Sequence, residues 1–230
     1  MMFNFKRLLS LFFPSRCPFC NEIISADKVV CEICRKDINF KSHKSIVQTR
    51  QGREFISVSP FLYEEPIRAA IHNYKFNGVK SFCAPFGFYI TEALKENVDI
   101  SKIDCITSVP LHLSRKRERG FNQSETFARE IAKLTGVPYV ELLKKVKKNK
   151  IQHELSLAER TENVKGVYDV VDEALIAGKT VLLCDDILTT GNTMGECANV
   201  LFNAGAKEVV GATIARVRDK IYTGATKTNT

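Results

Sequence analysis

The stretch from Val181 to Thr193 constrains the fold of this 230-residue chain more than any other part of its sequence. Four apolar residues run into the acidic pair Asp185 and Asp186, and a turn rich in hydroxyl groups follows at once. An uninterrupted apolar run is typical of a strand that a parallel sheet buries on both faces. Open sheets of this class bind ligands at the carboxyl ends of their strands. The stretch therefore predicts an α/β fold with a ligand site where this strand ends.

The turn has the composition of a loop that binds phosphate. Gly191 permits a tight turn, and Thr189, Thr190 and Thr193 place hydroxyl donors on either side of Asn192. A helix is predicted directly after the turn, and its N-terminal N–H groups would point at a bound anion. The alternative is an ordinary buried strand that ends in a turn, but the combination of residues is far more specific than a lone glycine-rich loop.

Two Cys-x-x-Cys pairs near the amino terminus predict a metal site. Cys17 and Cys20 form the first pair, Cys31 and Cys34 form the second, and ten residues separate the pairs. Four thiolates complete the tetrahedral shell of a structural Zn²⁺ ion and leave no open position for catalysis. Disulfides are the alternative in a secreted protein, and a redox pair would need one motif at a helix start. The other four cysteines are predicted to pack in the core.

Length and charge bound the organisation of the chain. We expect an apolar helix at 1–14, a zinc ribbon at 15–45, the main domain at 46–220 and a disordered tail at 221–230.

The formal net charge is +8, which favours polyanionic partners such as nucleic acid, nucleotides or an anionic membrane surface. The paired thiols beside a phosphate-type turn indicate a cytoplasmic protein. The apolar N-terminal segment is too short to span a bilayer, so it is expected to pack on the main domain, with anchoring to the inner face of a membrane as the alternative.

Two basic segments are candidates for contact with the phosphates of single-stranded DNA. The cations of the first are Arg115, Lys116, Arg117 and Arg119, and those of the second are Lys144, Lys145, Lys147 and Lys148. The first follows a predicted buried strand and is expected to be an exposed loop that binds anions. The alternative for both segments is a solvated basic surface.

The residues after the first basic segment predict a turn and a helix. Phe121 follows a glycine, where an aromatic side chain packs in a core more often than it stacks on a base. Ser124 is the predicted N-cap of a helix whose buried face includes Phe127 and Ile131.

These features together resemble one known family. The acidic pair and the turn are similar to the phosphoribosyl pyrophosphate (PRPP) signature of type I phosphoribosyltransferases. Ahead of that signature lie the four cysteines, Lys75–Gly78, Arg117–Gln123, Gln152, Leu155, Arg160 and Asn163. In this order, from about Cys17 to Arg216, the chain is similar to the ComF family of bacterial competence proteins.

The resemblance implies a fold, a ligand and a cellular role. The fold is a parallel sheet of the type I phosphoribosyltransferase kind, flanked by helices and preceded by a small zinc ribbon. PRPP would bind with Mg²⁺, its ribose hydroxyls on the two acids and its 5-phosphate on the turn. The residues implied are Asp185, Asp186, Thr189, Thr190, Gly191, Asn192 and Thr193. The role would be uptake or processing of single-stranded DNA in natural transformation, beside the competence helicase and other DNA-uptake proteins.

One departure from the superfamily limits the chemistry. Purine-salvage members carry an acid where this chain has Thr189, and a threonine hydroxyl cannot act as a general base near neutral pH. Two functions stay open. The chain is either a DNA-handling protein whose pocket binds PRPP, or an active phosphoribosyltransferase of unknown acceptor in nucleotide metabolism. In the enzyme, Arg117 and Arg119 would neutralise the departing pyrophosphate.

Overall fold

A buried parallel strand at Thr180–Leu188 lies inside the main sheet of the computed structural model, with a strand paired on either side. The structure describes residues 15–25, 27–38, 40–76, 80–112, 115, 117–118, 120–147 and 166–218. The predicted helix at 1–14 and the predicted tail at 221–230 lie outside the described residues.

The helices and strands follow in the order α1 (Glu32–Asp37), β1 (His43–Gln48), β2 (Glu54–Ser59), β3 (Phe61–Leu62), α2 (Ile67–Phe76), α3 (Cys83–Asn97), β4 (Cys105–Ser108), α4 (Gln123–Thr135), β5 (Leu143–Lys145), β6 (Tyr168–Val170), β7 (Thr180–Leu188), α5 (Asn192–Asn203) and β8 (Glu208–Arg216). Among the helices of the described residues, none combines the length and the apolar character needed to cross a membrane.

Within the described residues, six strands form one sheet in the order β1-β2-β8-β7-β4, with β3 pairing β8 beyond the end of β2. The pairs β2–β8, β3–β8, β7–β8 and β4–β7 are parallel, whereas β1 joins β2 as an antiparallel hairpin. Cys184 lies opposite Ser108 on one side and Ala212 on the other. The carboxyl ends of β4, β7 and β8 therefore share one edge of the sheet, as the α/β prediction requires.

Alternate residues of β7 belong to two apolar cores. Leu182 and Cys184 join the cluster that contains buried residues of α2, α3 and α4. Val181 and Leu183 join the cluster that contains the buried face of α5. Because successive side chains of a strand point to opposite faces, helices on both faces explain why this run is apolar without alternation.

Helix α3 crosses α4 at a point where only glycine fits. A Cβ atom on Gly87 would lie 2.6 Å from the Cβ of Glu130, so any larger residue would push the two helices apart. Helix α3 was not predicted from the sequence, because its apolar residues surround the helix and give no single face.

The four predicted zinc ligands come together before the main sheet begins. Their Sγ atoms all lie within 4.8 Å of one another, and the Sγ atoms of Cys20 and Cys31 are 3.6 Å apart. A tetrahedral Zn²⁺ ion with Zn–S bonds of 2.3 Å requires S···S separations of about 3.8 Å, so the donor set fits this metal. Cys31 also caps α1, since its Sγ accepts the backbone N–H of Cys34 at 3.3 Å.

Aromatic side chains join this cysteine cluster to the main domain. The ring of Phe19, between the first two cysteines, lies 5.9 Å from Phe61 and 6.3 Å from Tyr89. Phe40 closes the same group at 5.6 Å from Tyr89. The ribbon therefore shares a core with β3 and α3.

Removing zinc from the reduced protein is expected to unfold the ribbon ahead of β1 and to leave the sheet folded. The ribbon is short, so metal binding supplies much of its folding energy. Limited proteolysis should then cut within these residues, while far-UV circular dichroism keeps most of the helix and strand signal.

Cys20→Ser and Cys83→Ser form a matched pair for this test, because Cys83 lies outside the four-cysteine cluster. Metal analysis should find about one zinc per chain in wild type and in Cys83→Ser, and much less in Cys20→Ser. Wild-type protein that is purified in reducing buffer and contains no zinc would contradict the ribbon.

Candidate ligand-binding site

The acidic pair lies near the carboxyl end of β7, where the two side chains meet different partners. Asp185 Oδ1 accepts the backbone N–H of Asp186 at 2.8 Å and the hydroxyl of Ser124 at 3.4 Å. Asp186 Oδ2 accepts from the ammonium of Lys75 at 2.7 Å. Ser124 belongs to α4 and Lys75 to α2, so three elements that are distant in sequence meet at this pair.

The ion pair between Lys75 and Asp186 is largely shielded from solvent. The two side chains are 15% and 21% exposed, which leaves the interaction weakly screened by water. In the sequence, Lys75 belongs to a family element and has no predicted role of its own. No local pattern marks it, because its partner lies more than a hundred positions further along the chain.

The backbone next to Lys75 is fixed by buried hydrogen bonds. Tyr74 is fully buried, and its hydroxyl donates to the carbonyl of Gln123 at 2.9 Å and hydrogen-bonds Thr126. The side-chain amide of Gln123 returns a hydrogen bond to the carbonyl of Lys75 at 3.4 Å. These contacts hold the end of α2 against the start of α4.

The element Arg117–Gln123 combines the exposed cation Arg117 with a buried support at 121–123. Phe121 is 6% exposed and packs on Tyr74 with ring centroids 5.6 Å apart, so it is a core residue. The amide of Asn122 donates to the carbonyl of Val109 at 3.0 Å, which fixes the loop that leaves β4. The element therefore joins the end of β4 to α2.

The N-cap of α4 lies two residues earlier than expected. It is Asn122, whose side chain accepts the backbone N–H of Ser124 at 3.1 Å. The prediction that Ser124 caps the helix is wrong, because the helix already begins at Gln123 and Ser124 lies within its first turn. The hydroxyl of Ser124 is directed to Asp185 instead.

The cations of the first basic segment are exposed where the structure describes them. Arg115 and Arg117 lie on the surface, with helical backbone rather than the expected loop. Lys116 and Arg119 lie outside the described residues, as do Gln152, Leu155, Arg160 and Asn163.

The second basic segment divides between the surface and the site. Lys144 is exposed and pairs with Asp169 at 3.4 Å. Lys145 is partly buried and lies with its Nζ 5.3 Å from the ring centroid of Tyr168, opposite it in the β5–β6 pair. Lys147 is exposed, and Lys148 lies outside the described residues.

Burial controls the ionisation of the groups around Asp185. Burial, followed by repulsion from the carboxylate of Asp186, raises the pKa of Asp185 to about 7. Burial lowers the pKa of Lys145, although attraction to Asp185 opposes this effect. Asp185 and Lys145 therefore lie close enough to interact across the α5 side of the sheet.

The predicted phosphate turn forms the amino terminus of α5. Gly191 is the N-cap with φ of 78°, and a Cβ atom there would lie 3.1 Å from Cγ1 of Val47. Only glycine adopts this left-handed conformation readily. Thr189 and Thr190 are exposed, while Asn192 and Thr193 in the first turn of α5 are partly buried.

This turn forms one wall of a cleft of about 690 Å³. Three cations from other elements line the cleft: Lys44, Arg50 and Arg216. Arg50 pairs with the buried Glu196 at 3.4 Å, and Glu196 accepts the backbone N–H of Gly166 at 3.1 Å. The turn thus faces a polar, positively charged space.

Two family models match the chain, and each covers one of the two sites described above. A phosphoribosyl transferase domain matches residues 121–224, and a double zinc ribbon domain matches residues 8–46. The first match contains β7, the acidic pair and the turn, and the second contains all four clustered cysteines.

Several known proteins are similar to this chain. The DNA utilization protein YhgH of Salmonella typhimurium is 29% identical over 161 residues, which cover 68% of this chain and 69% of that protein. Competence protein ComFC of Streptococcus pneumoniae is 26% identical over 180 residues, which cover 78% of this chain and 77% of that protein. A solved structure of the allosteric regulatory enzyme of purine biosynthesis is 26% identical with a TM-score of 0.40, covering 58% of this chain and 26% of that one.

The order of the two matched domains, ribbon first and phosphoribosyl transferase domain second, is the order of the cysteine cluster and the acidic pair along the chain. The chain therefore fits a ComF-family protein, with a phosphoribosyltransferase-like α/β domain behind an N-terminal ribbon of four cysteines.

Proposed function

We propose that this protein binds PRPP, with Mg²⁺, at the carboxyl edge of its sheet and acts on single-stranded DNA during natural transformation. The observation that carries the ligand is the placement of Asp185 and Asp186 directly before the turn at the amino terminus of α5. Diol-binding carboxylates and a phosphate-binding turn on one strand end suit a ribose 5-phosphate group.

Each part of the site has a separate task in this proposal. The turn around Gly191 gives backbone N–H groups and hydroxyls to the 5-phosphate, and its φ of 78° allows the close approach. The carboxylates of Asp185 and Asp186 accept hydrogen bonds from the two ribose hydroxyls. Carboxylate oxygens are also the ligands that Mg²⁺ prefers, so the acidic pair fits the metal that accompanies pyrophosphate.

The DNA role is supported by the relatives and by the surface charge. Two of the similar proteins are named for DNA utilization and for competence. Arg115, Arg117 and Lys147 are exposed cations on the described part of the two basic segments. Lys145 is less suited to this role, because it is partly buried beside Tyr168. We expect the protein to act with the competence helicase and other DNA-uptake proteins.

The double variant Asp185→Asn/Asp186→Asn is expected to bind PRPP about a hundredfold more weakly than wild type, because two charge-assisted hydrogen bonds are lost. Isothermal titration calorimetry with Mg²⁺ measures the difference. Asp169→Asn is the matched control, since it removes an exposed carboxylate that pairs with Lys144 and accepts the backbone N–H of Val170, away from the acidic pair. Folded, zinc-loaded wild type that does not bind PRPP would refute the proposed ligand.

The ionisation of Asp185 gives a second test of the ligand. The carboxyl should titrate at about 7 in the ligand-free protein, and PRPP should lower this midpoint because ribose hydroxyls donate to the ionised form. Affinity should then be full above pH 7 and fall as the pH drops through 7. Carbon-13 NMR of the carboxyl, assigned with Asp185→Asn, measures both midpoints. A PRPP-saturated midpoint that equals the ligand-free one would contradict the contact.

Arg117→Ala and Lys147→Ala are expected to weaken binding of single-stranded DNA, with a salt slope shallower by about 0.7 for each lost phosphate contact. Fluorescence anisotropy with a labelled oligonucleotide, repeated over a range of salt concentrations, measures the slope. Lys144→Ala is the control, because its ammonium already pairs with Asp169 and should change binding less. Wild type without salt-sensitive binding would exclude direct contact with DNA.

A further inference from the structure

The two carboxylates of the acidic pair repel each other, and the proposed ligand increases this repulsion. Asp185 and Asp186 are adjacent carboxylates, and a ribose phosphate brings further negative charge to the same edge of the sheet. Like charges in a partly desolvated site oppose each other, so a cation has to balance them. A metal ion is one source of that charge, and a side chain is another.

Lys75 lies where such a cation is needed. Its Nζ is 2.7 Å from Oδ2 of Asp186, and both side chains are mostly buried. An ammonium is a compact charge with three donors, so the contact with one carboxylate leaves capacity for ligand oxygens. The ammonium of Lys75 therefore contacts the carboxylate that would bind the ribose hydroxyls, in the place that a metal ion would otherwise take.

The surroundings of Lys75 hold its position. Ile67, Ala70, Ile71 and Tyr74 bury one face of α2 in the main core. The carbonyl of Lys75 itself accepts the side-chain amide of Gln123, and the hydroxyl of Tyr74 donates to the carbonyl of Gln123. The ammonium thus extends from a helix end that is fixed on two sides, which suits a permanent part of the site.

We propose that Lys75 is the resident cation of the acidic pair, a positioning residue that acts through Asp186. It balances the charge of that carboxylate and orients it, so that ribose hydroxyls bind without a metal ion. Mg²⁺ is then required for the pyrophosphate of PRPP, and ribose 5-phosphate binds equally well with Mg²⁺ and with EDTA. This inference rests on the proposed function, because it assigns the ribose half of the same pocket.

The test compares wild type with Lys75→Met and Lys75→Arg by calorimetric titration of ribose 5-phosphate, in EDTA and in Mg²⁺. In EDTA, Lys75→Met should bind about tenfold more weakly or worse, because it loses a charge-assisted contact beside the ligand. Mg²⁺ should restore much of that loss, since the ion takes the vacated place on Asp186. Lys75→Arg keeps the charge and should need no metal.

Lys95→Met is the control for the loss of a paired lysine. Lys95 lies 2.8 Å from Glu92 on α3, in an exposed pair, so its removal should change neither affinity nor metal dependence. Thermal melts of all variants separate weak binding from poor folding.

Three results would overturn the role of Lys75. The first is unchanged affinity of Lys75→Met for ribose 5-phosphate in EDTA. The second is a loss of affinity that Mg²⁺ does not restore, because Lys75 would then only support α2. The third is wild type that binds PRPP as its magnesium complex but requires Mg²⁺ for ribose 5-phosphate. Failure of wild type to bind either ligand would instead refute the proposed function.

Discussion

The two carboxylates at the end of β7 need compensating partners, and these partners determine where α2 and α4 lie. Two neighbouring carboxylates in a partly buried position are stable only when donors and cations compensate them. Lys75 supplies a cation from α2, and the hydroxyl of Ser124 comes from α4. Since these partners come from different helices, both helices have to end or begin at the same edge of the sheet. The contacts of Tyr74 with Gln123 and Thr126 hold them there.

The Arg117–Gln123 element shows how one motif serves both packing and surface charge. Its cations and its position after a predicted buried strand indicated an anion-binding segment, and its exposed cation Arg117 is suited to that role. Its second half is interior, because Phe121 packs on Tyr74 and Asn122 holds the loop after β4. A change in this half would displace Lys75 through α2 and Ser124 through α4. The second half of the motif therefore positions the partners of the acidic pair.

The parts of the fold that the sequence predicted are those with local signals. The strand before Asp185, the turn at Gly191 and the four-cysteine spacing each lie within a short stretch, and the structure confirms the strand, the helix after the turn and the cysteine cluster. Helix α3 was not predicted because its apolar residues give no single face, and strand β1 was not predicted because most of its residues are polar. The Lys75–Asp186 pair was missed because no spacing rule connects α2 with the end of β7.

The ribbon packs against the main domain as well as being joined to it through the chain. Cys17, Val30 and Cys31 are buried in the cluster that also holds Phe61 and Tyr89. Through Phe61, which pairs with Ala215 of β8, this cluster reaches the sheet beside β7. A metal that orders the cysteines therefore also orders the aromatic side chains over β3 and α3. Because α3 packs on α4, the ribbon is in continuous contact with the helix that supports the acidic pair.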